Sequence, residues 1–163
     1  MGGAVRSGWL VTGLALLVSM TGLAATINVP GDYPTIQAAI SAAEPGDTII
    51  VAAGTYIENL NITKAVTISG VGKDLVILQP KSAGYGIGVS GAGNNVTIEN
   101  ITITAGNARH FLVHVSGVLN FTIQNVKIIG AGKTALPGGS PLGGLDLNAV
   151  SGAAVRNVEV LHV

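Results

Sequence analysis

Residues 95–103 read NVTIENITI, and residues 120–128 read NFTIQNVKI, the same pattern 25 residues later. A third, eroded copy, AAVRNVEV at 153–160, places Asn157 where Asn100 and Asn125 stand in the first two. Self-similarity at a fixed period of about 20 to 50 residues marks a solenoid, in which each repeat buries its apolar face only against its neighbours. Within a copy, Val96 and Ile98, then Ile101 and Ile103, alternate with Thr97, Glu99 and Thr102. Period two means strand. The alternation breaks at Glu99-Asn100, so each copy reads as two short strands meeting at a corner. Asparagine suits that corner, because its amide bonds nearby backbone and it tolerates a left-handed conformation. If successive coils stack at about 4.8 Å, Asn100, Asn125 and Asn157 superpose as a structural ladder of amides.

Composition agrees with an all-β chain. Glycine is abundant and charged residues are only 10% of the 163 positions, which suits tight turns joining aliphatic strands. The length allows one domain. Net charge is zero, and loss of a leader carrying Arg6 leaves about one negative charge, so there is no basic footprint for nucleic acid. Cysteine is absent, which excludes disulfides, thiolate metal sites and a lipid-anchored cysteine at the leader junction.

In chain order, residues 1–24 read as a signal peptide: Arg6, the apolar run from Trp9 to Met20, then Gly22-Leu23-Ala24 as a small-x-small cleavage site. That run is short for a membrane span, which needs about 20 apolar residues, so no stable span is expected after cleavage. Residues 25–47 read as an N-terminal cap. Pro34 suits a first helical turn, Asp32 is a possible N-cap, and Ile36, Ala39, Ile40 and Ala43 follow helical spacing until Pro45-Gly46 stops it. A solenoid needs such a lid over its first coil. Residues 48–163 then carry short strands at 48–51, 57–62, 66–70, 75–78, 86–90 and 111–116, besides the repeats, with turns at 52–56 and 71–74. Three strands to a coil give about four coils. The chain closes on the alternating VEVLHV of 158–163 with no polar closing coil, so the sequence predicts a domain truncated at its C-terminal end.

The stretch VPGDYPTIQAAISAAEPGDTIIVAAGTYIENLNITKAVTISG, residues 29–70, resembles the opening of right-handed parallel β-helix proteins of the pectin-lyase-like superfamily. The resemblance implies a right-handed parallel β-helix solenoid over nearly all of the mature chain. That group includes pectate lyases, pectin methylesterases, polygalacturonases, alginate epimerases and periplasmic proteins that assist copper-site maturation of nitrous oxide reductase. It implies a polysaccharide as partner, and, if the chain is an enzyme, a lyase, hydrolase or epimerase.

The residues assemble no recognisable catalytic set. Hydrolysis of a glycosidic bond wants two flanking carboxylates, but the acids of the repeat region are Glu99, Asp146 and Glu159. Glu99 and Glu159 read as solvated outward residues. Asp146 follows a long loop, where solenoids carry sites, yet shows no partner carboxylate. A calcium-dependent lyase wants clustered acids and a basic residue, and no such cluster is visible. Arg109, His110 and His114 form the densest polar patch, and even spacing puts His110, Leu112 and His114 on one strand face. Paired histidines bind metals or shuttle protons, but with no third ligand these read more simply as surface residues, and no cofactor is evident. The Gly/Pro loop at 133–144 absorbs the seven extra residues between Asn125 and Asn157 and reads as a lip of a groove or as a neutral connection. VSG recurs at Val89, Val115 and Val150, in comparable register only in the first two. Four N-x-T triplets, at Asn61, Asn95, Asn100 and Asn120, match a glycan-acceptor pattern that the repeat itself generates. The leading expectation is an exported protein, secreted, periplasmic or on the cell surface, that binds or processes polysaccharide in a lateral groove. A non-enzymatic surface or adhesion module and a periplasmic accessory for metalloenzyme maturation are the rivals.

Overall fold

The computed structural model of the chain describes residues 23–91, 94–106, 111–130 and 144–162. It is mostly β, with parallel strands in sheets and one short helix. The elements are β1 (Thr26–Val29), α1 (Ile36–Ala42), β2 (Thr48–Val51), β3 (Gly54–Ile57), β4 (Leu60–Ile62), β5 (Thr67–Gly70) and β6 (Val76–Gln79). There follow β7 (Ile87–Ser90), β8 (Thr97–Glu99), β9 (Thr102–Thr104), β10 (Val113–Ser116), β11 (Thr122–Gly130), β12 (Leu145–Asn148) and β13 (Ala154–His162). Every pairing between them is parallel. One stack runs β1-β2-β5-β8-β11, a second β3-β6-β9-β11, and a third β4-β7-β10-β12. The chain visits the three stacks in rotation, and β11 and β13 each serve the first two.

Strict alternation makes each stack half-buried. In the first, Ile49, Ile68, Ile98 and Ile123 lie in register and are fully buried. Leu78, Ile103 and Ile128 form the second column, and Ile87 and Val113 part of the third. All belong to one core, which Phe121 also joins. Each such aliphatic side chain contributes about 1.5–3 kcal/mol on burial. The final round differs: Val155 and Val160, paired with the wholly buried Ile123 and Ile128, are 47% and 46% exposed.

Asn100, Asn125 and Asn157 take the left-handed conformation, with φ of 58°, 51° and 47°. Asn125 Nδ2 donates to Asn100 Oδ1 at 2.6 Å, and Asn157 Nδ2 donates to Asn125 Oδ1 at 2.9 Å. Asn125 is half-buried rather than buried, and the strand does not stop there: β11 and β13 run through the corner as nine-residue strands. Pairing resumes in register on both sides, so only the asparagine leaves the backbone ladder. Below Asn100 the equivalent place is Gly70, where a Cβ would lie 2.2 Å from the Asn100 carbonyl oxygen. The sequence reading missed a second ladder. Asn120 Nδ2 donates to Asn95 Oδ1 at 3.0 Å, both residues again having positive φ.

Helix α1 lies within the expected span and packs against β1, β2 and β4, burying Ile36, Ala39 and Ile40. Its N-cap is Thr35, whose hydroxyl accepts from the Ala38 amide at 3.1 Å. Asp32, the N-cap candidate from sequence, instead accepts from the Asn28 backbone and side-chain amides. Unforeseen from sequence, the Glu58 carboxylate accepts from the Ile36 and Gln37 amides, both at 2.9 Å. Lys64 Nζ donates to the Ser41 and Ala43 carbonyls at the other end. Both charges oppose the adjacent pole of the helix dipole.

Asn125→Ala strips a donor from Asn100 and an acceptor from Asn157 and puts a Cβ-bearing residue without a capping amide into a left-handed corner. It is expected to cost about 1–3 kcal/mol, against little for the outward Thr122→Ala; denaturant unfolding of the two variants checks the order.

Candidate functional site

The outer face of the third stack carries the densest polar grouping among the sequence candidates. Since inward and outward residues alternate, the register places Asn61, Gly88, His114 and Asp146 in one outward column across β4, β7, β10 and β12. Neighbouring rounds thus bring His114 and Asp146 together although 32 residues separate them: His114 Nδ1 lies 2.7 Å from Asp146 Oδ2. An ionised carboxylate only accepts, so Nδ1–H is the donor of this pair. The side chains are 18% and 29% exposed, sheltered but open to solvent. The Tyr85 ring stacks on the imidazole with centroids 4.1 Å apart and planes 14° apart.

Tyr85 is held there by its loop. Between β6 and β7 the chain bulges outward, and Asn59 pins the bulge. Its Oδ1 accepts from the Lys81 and Ser82 amides and the Ser82 hydroxyl, and its Nδ2 donates to the Tyr85 carbonyl at 2.7 Å. A groove of about 240 Å³ results, lined by Asn59, Asn61, Ser82, Gly84, Tyr85 and Gly88. Gly88 carries no side chain into the outward column between Asn61 and His114, and the groove extends over that place. The arrangement offers the Asn61 amide, the Ser82 hydroxyl and an aromatic ring to a ligand.

Several sequence readings are corrected here. Asp146 has a partner, a histidine rather than a carboxylate. Leu112 is buried and does not share the His114 face, because the strand begins at Val113 and residue 112 belongs to the corner. Arg109 and His110 lie outside the described residues, as do residues 133–143 of the loop read as a groove lip or a neutral connection. Glu99 is half-buried: it accepts from the Ser69 hydroxyl at 2.8 Å and from Gln124 Nε2 at 2.6 Å. Glu159 is exposed but paired with Lys73 at 2.5 Å, beside the Lys127–Asp74 pair at 2.7 Å. Hydrogen bonds from the lysines, with their charge, hold the Glu159 and Asp74 carboxyls below the usual carboxylate range, and Asp74 raises Lys127. Among the described residues no group of three or more His, Asp or Glu is placed to hold a metal ion. No described helix is long and apolar enough to cross a membrane.

The chain matches no family model. It is 30% identical over 128 residues to a cell surface glycoprotein of Methanothermus fervidus, an alignment that takes in 72% of this chain and 21% of that protein. The chain therefore spans about a fifth of that relative's length.

Two outcomes are expected. With Asp146 accepting at Nδ1, nitrogen NMR of the neutral ring should find His114 in the Nδ1–H tautomer, and Asp146→Ala should release it toward the tautomer mixture of a free imidazole. The depressed Asp74 and Glu159 contribute stability that is present above their unfolded-state values and lost as pH falls through the lower folded-state values. Acid titration of the melting temperature should show this loss at low salt, and Lys73→Met with Lys127→Met should remove most of it.

Proposed function

We propose that this chain belongs to an exported protein of the cell surface and that it binds carbohydrate on the outer face of its third strand stack. The observation that carries the reading is the stacked Tyr85–His114 pair beside the groove. Pyranose rings present apolar C–H faces and a rim of hydroxyls. Aromatic rings accept the first, and an amide and a hydroxyl such as those of Asn61 and Ser82 satisfy the second. The named relative, a cell surface glycoprotein, supports the location. On this reading residues 1–24 are the leader and α1 is the lid of a closed right-handed parallel β-helix of the pectin-lyase-like kind. The rotation of the chain through three parallel stacks around one core supports that closure.

A second reading, in which the site processes its ligand, is favoured by the His114–Asp146 pair, since an imidazole oriented by a carboxylate is a suitable general base. Titration with defined oligosaccharides, including uronic-acid and neutral hexose polymers, followed by NMR, separates the readings. Binding should perturb Tyr85, Asn61 and His114, and Tyr85→Ala should weaken it roughly tenfold, about 1.4 kcal/mol. Turnover abolished by His114→Ala supports processing, whereas binding without turnover supports a module. Resonances unmoved by every oligosaccharide would remove the carbohydrate proposal.

A further inference from the structure

Of the four N-x-T triplets, three sit in the ladders. Asn95, Asn100 and Asn120 all have positive φ, and their side-chain amides are tied to asparagines of neighbouring rounds. In the Asn100 triplet the acceptor-pattern threonine is also engaged: Thr102 is 5% exposed and donates its hydroxyl to the Lys73 carbonyl at 2.8 Å. Asn61 is different. It lies on β4 and is exposed. Its backbone amide and carbonyl are bonded to Gln37, while its carboxamide bonds to none of the described residues. Asn61, and Thr63 just past the end of β4, are both exposed on either side of the fully buried Ile62, so amide and hydroxyl both reach solvent. The groove opens beside Asn61, with Tyr85, Asn59 and Ser82 around it.

We infer that Asn61 is an N-glycosylation site and that the attached oligosaccharide rests its first sugar in this groove. In the reaction, Asn61 Nδ2 attacks the anomeric carbon of a lipid-linked oligosaccharide. The new bond is C–N, the anomeric C–O bond to the lipid phosphate breaks, and the amide proton leaves through the transferase. Donor and transferase belong to the exporting cell. Attachment at Asn61 disturbs no hydrogen bond of the stack. Attachment at Asn100 or Asn120 would crowd a corner in which the neighbouring asparagine is already bonded. The inference rests on the exported location proposed above. A glycan in the groove also competes with any free oligosaccharide for the same surface.

The full chain is expressed in a secretory host that carries an oligosaccharyltransferase, and two things are read: whether it is exported, and which tryptic peptides carry glycan by mass spectrometry. The expected result is an exported protein with glycan on the Asn61 peptide, lost in both Asn61→Gln and Thr63→Ala with unchanged thermal unfolding. Thr63→Ala, which keeps Asn61 but carries no glycan, should bind oligosaccharide in the groove where the glycosylated wild type does not. Exported protein bare at Asn61, or glycan shared evenly among the four triplets, overturns the inference. Failure of export itself counts instead against the surface location.

Discussion

At the corner between the first two stacks one residue must turn the chain without breaking the register of the strands on either side. Asparagine does this because it accepts the left-handed conformation and because its amide, both donor and acceptor, can bond the same residue above and below. A corner built this way is self-replicating along the axis: Asn100 fixes the place of Asn125, and Asn125 that of Asn157. Register held at the corner is register held in the core, since a slip of one residue would turn every aliphatic column outward. The columns of isoleucine, valine and leucine supply most of the stabilisation, and the ladders decide which pairing collects it.

The polar site depends on the same constraint at second hand. Neither His114 nor Asp146 is close to the other in sequence, and each sits on its own short strand. Stacking brings them to one column, and the length of the intervening segment is immaterial provided β12 pairs with β10 in phase. Asn59 works similarly one round away, spending its whole amide on the loop that presents Tyr85.

Much of the fold was legible because repetition states it directly. The alternation of Val96, Ile98, Ile101 and Ile103 and the recurring asparagine specify strand, corner and period together. Less legible were contacts that need the register across an irregular interval. The seven-residue excess before Asp146 hid its pairing with His114, so Asp146 read as solitary. Reading VHVS at 113–116 against LDLN at 145–148 would have revealed it. The second ladder, Asn95 with Asn120, was present in the quoted repeat but was read only as its first letter. Glu58 at the helix N-terminus carries no local signal at all, for it reaches α1 from the connection between β3 and β4, more than twenty residues away. Leu112 misled because a face was assigned by spacing before the strand had begun.

Disulfide trapping across β10 and β12 tests the stacking most directly, since the chain has no cysteine of its own. Ser116 and Asn148 are register partners, so their Cα atoms lie about 4.8 Å apart, inside the range of roughly 4.4–6.8 Å that a disulfide spans. Ser90 and Asn148 lie two strands apart, about 9.6 Å, beyond that reach. In-register stacking predicts that Ser116→Cys/Asn148→Cys closes under mild oxidation, with the native melting temperature kept or raised. The Ser90→Cys/Asn148→Cys pair should stay reduced. Equal trapping of both pairs, or trapping of the second alone, would contradict the stacking and with it the placement of His114 beside Asp146.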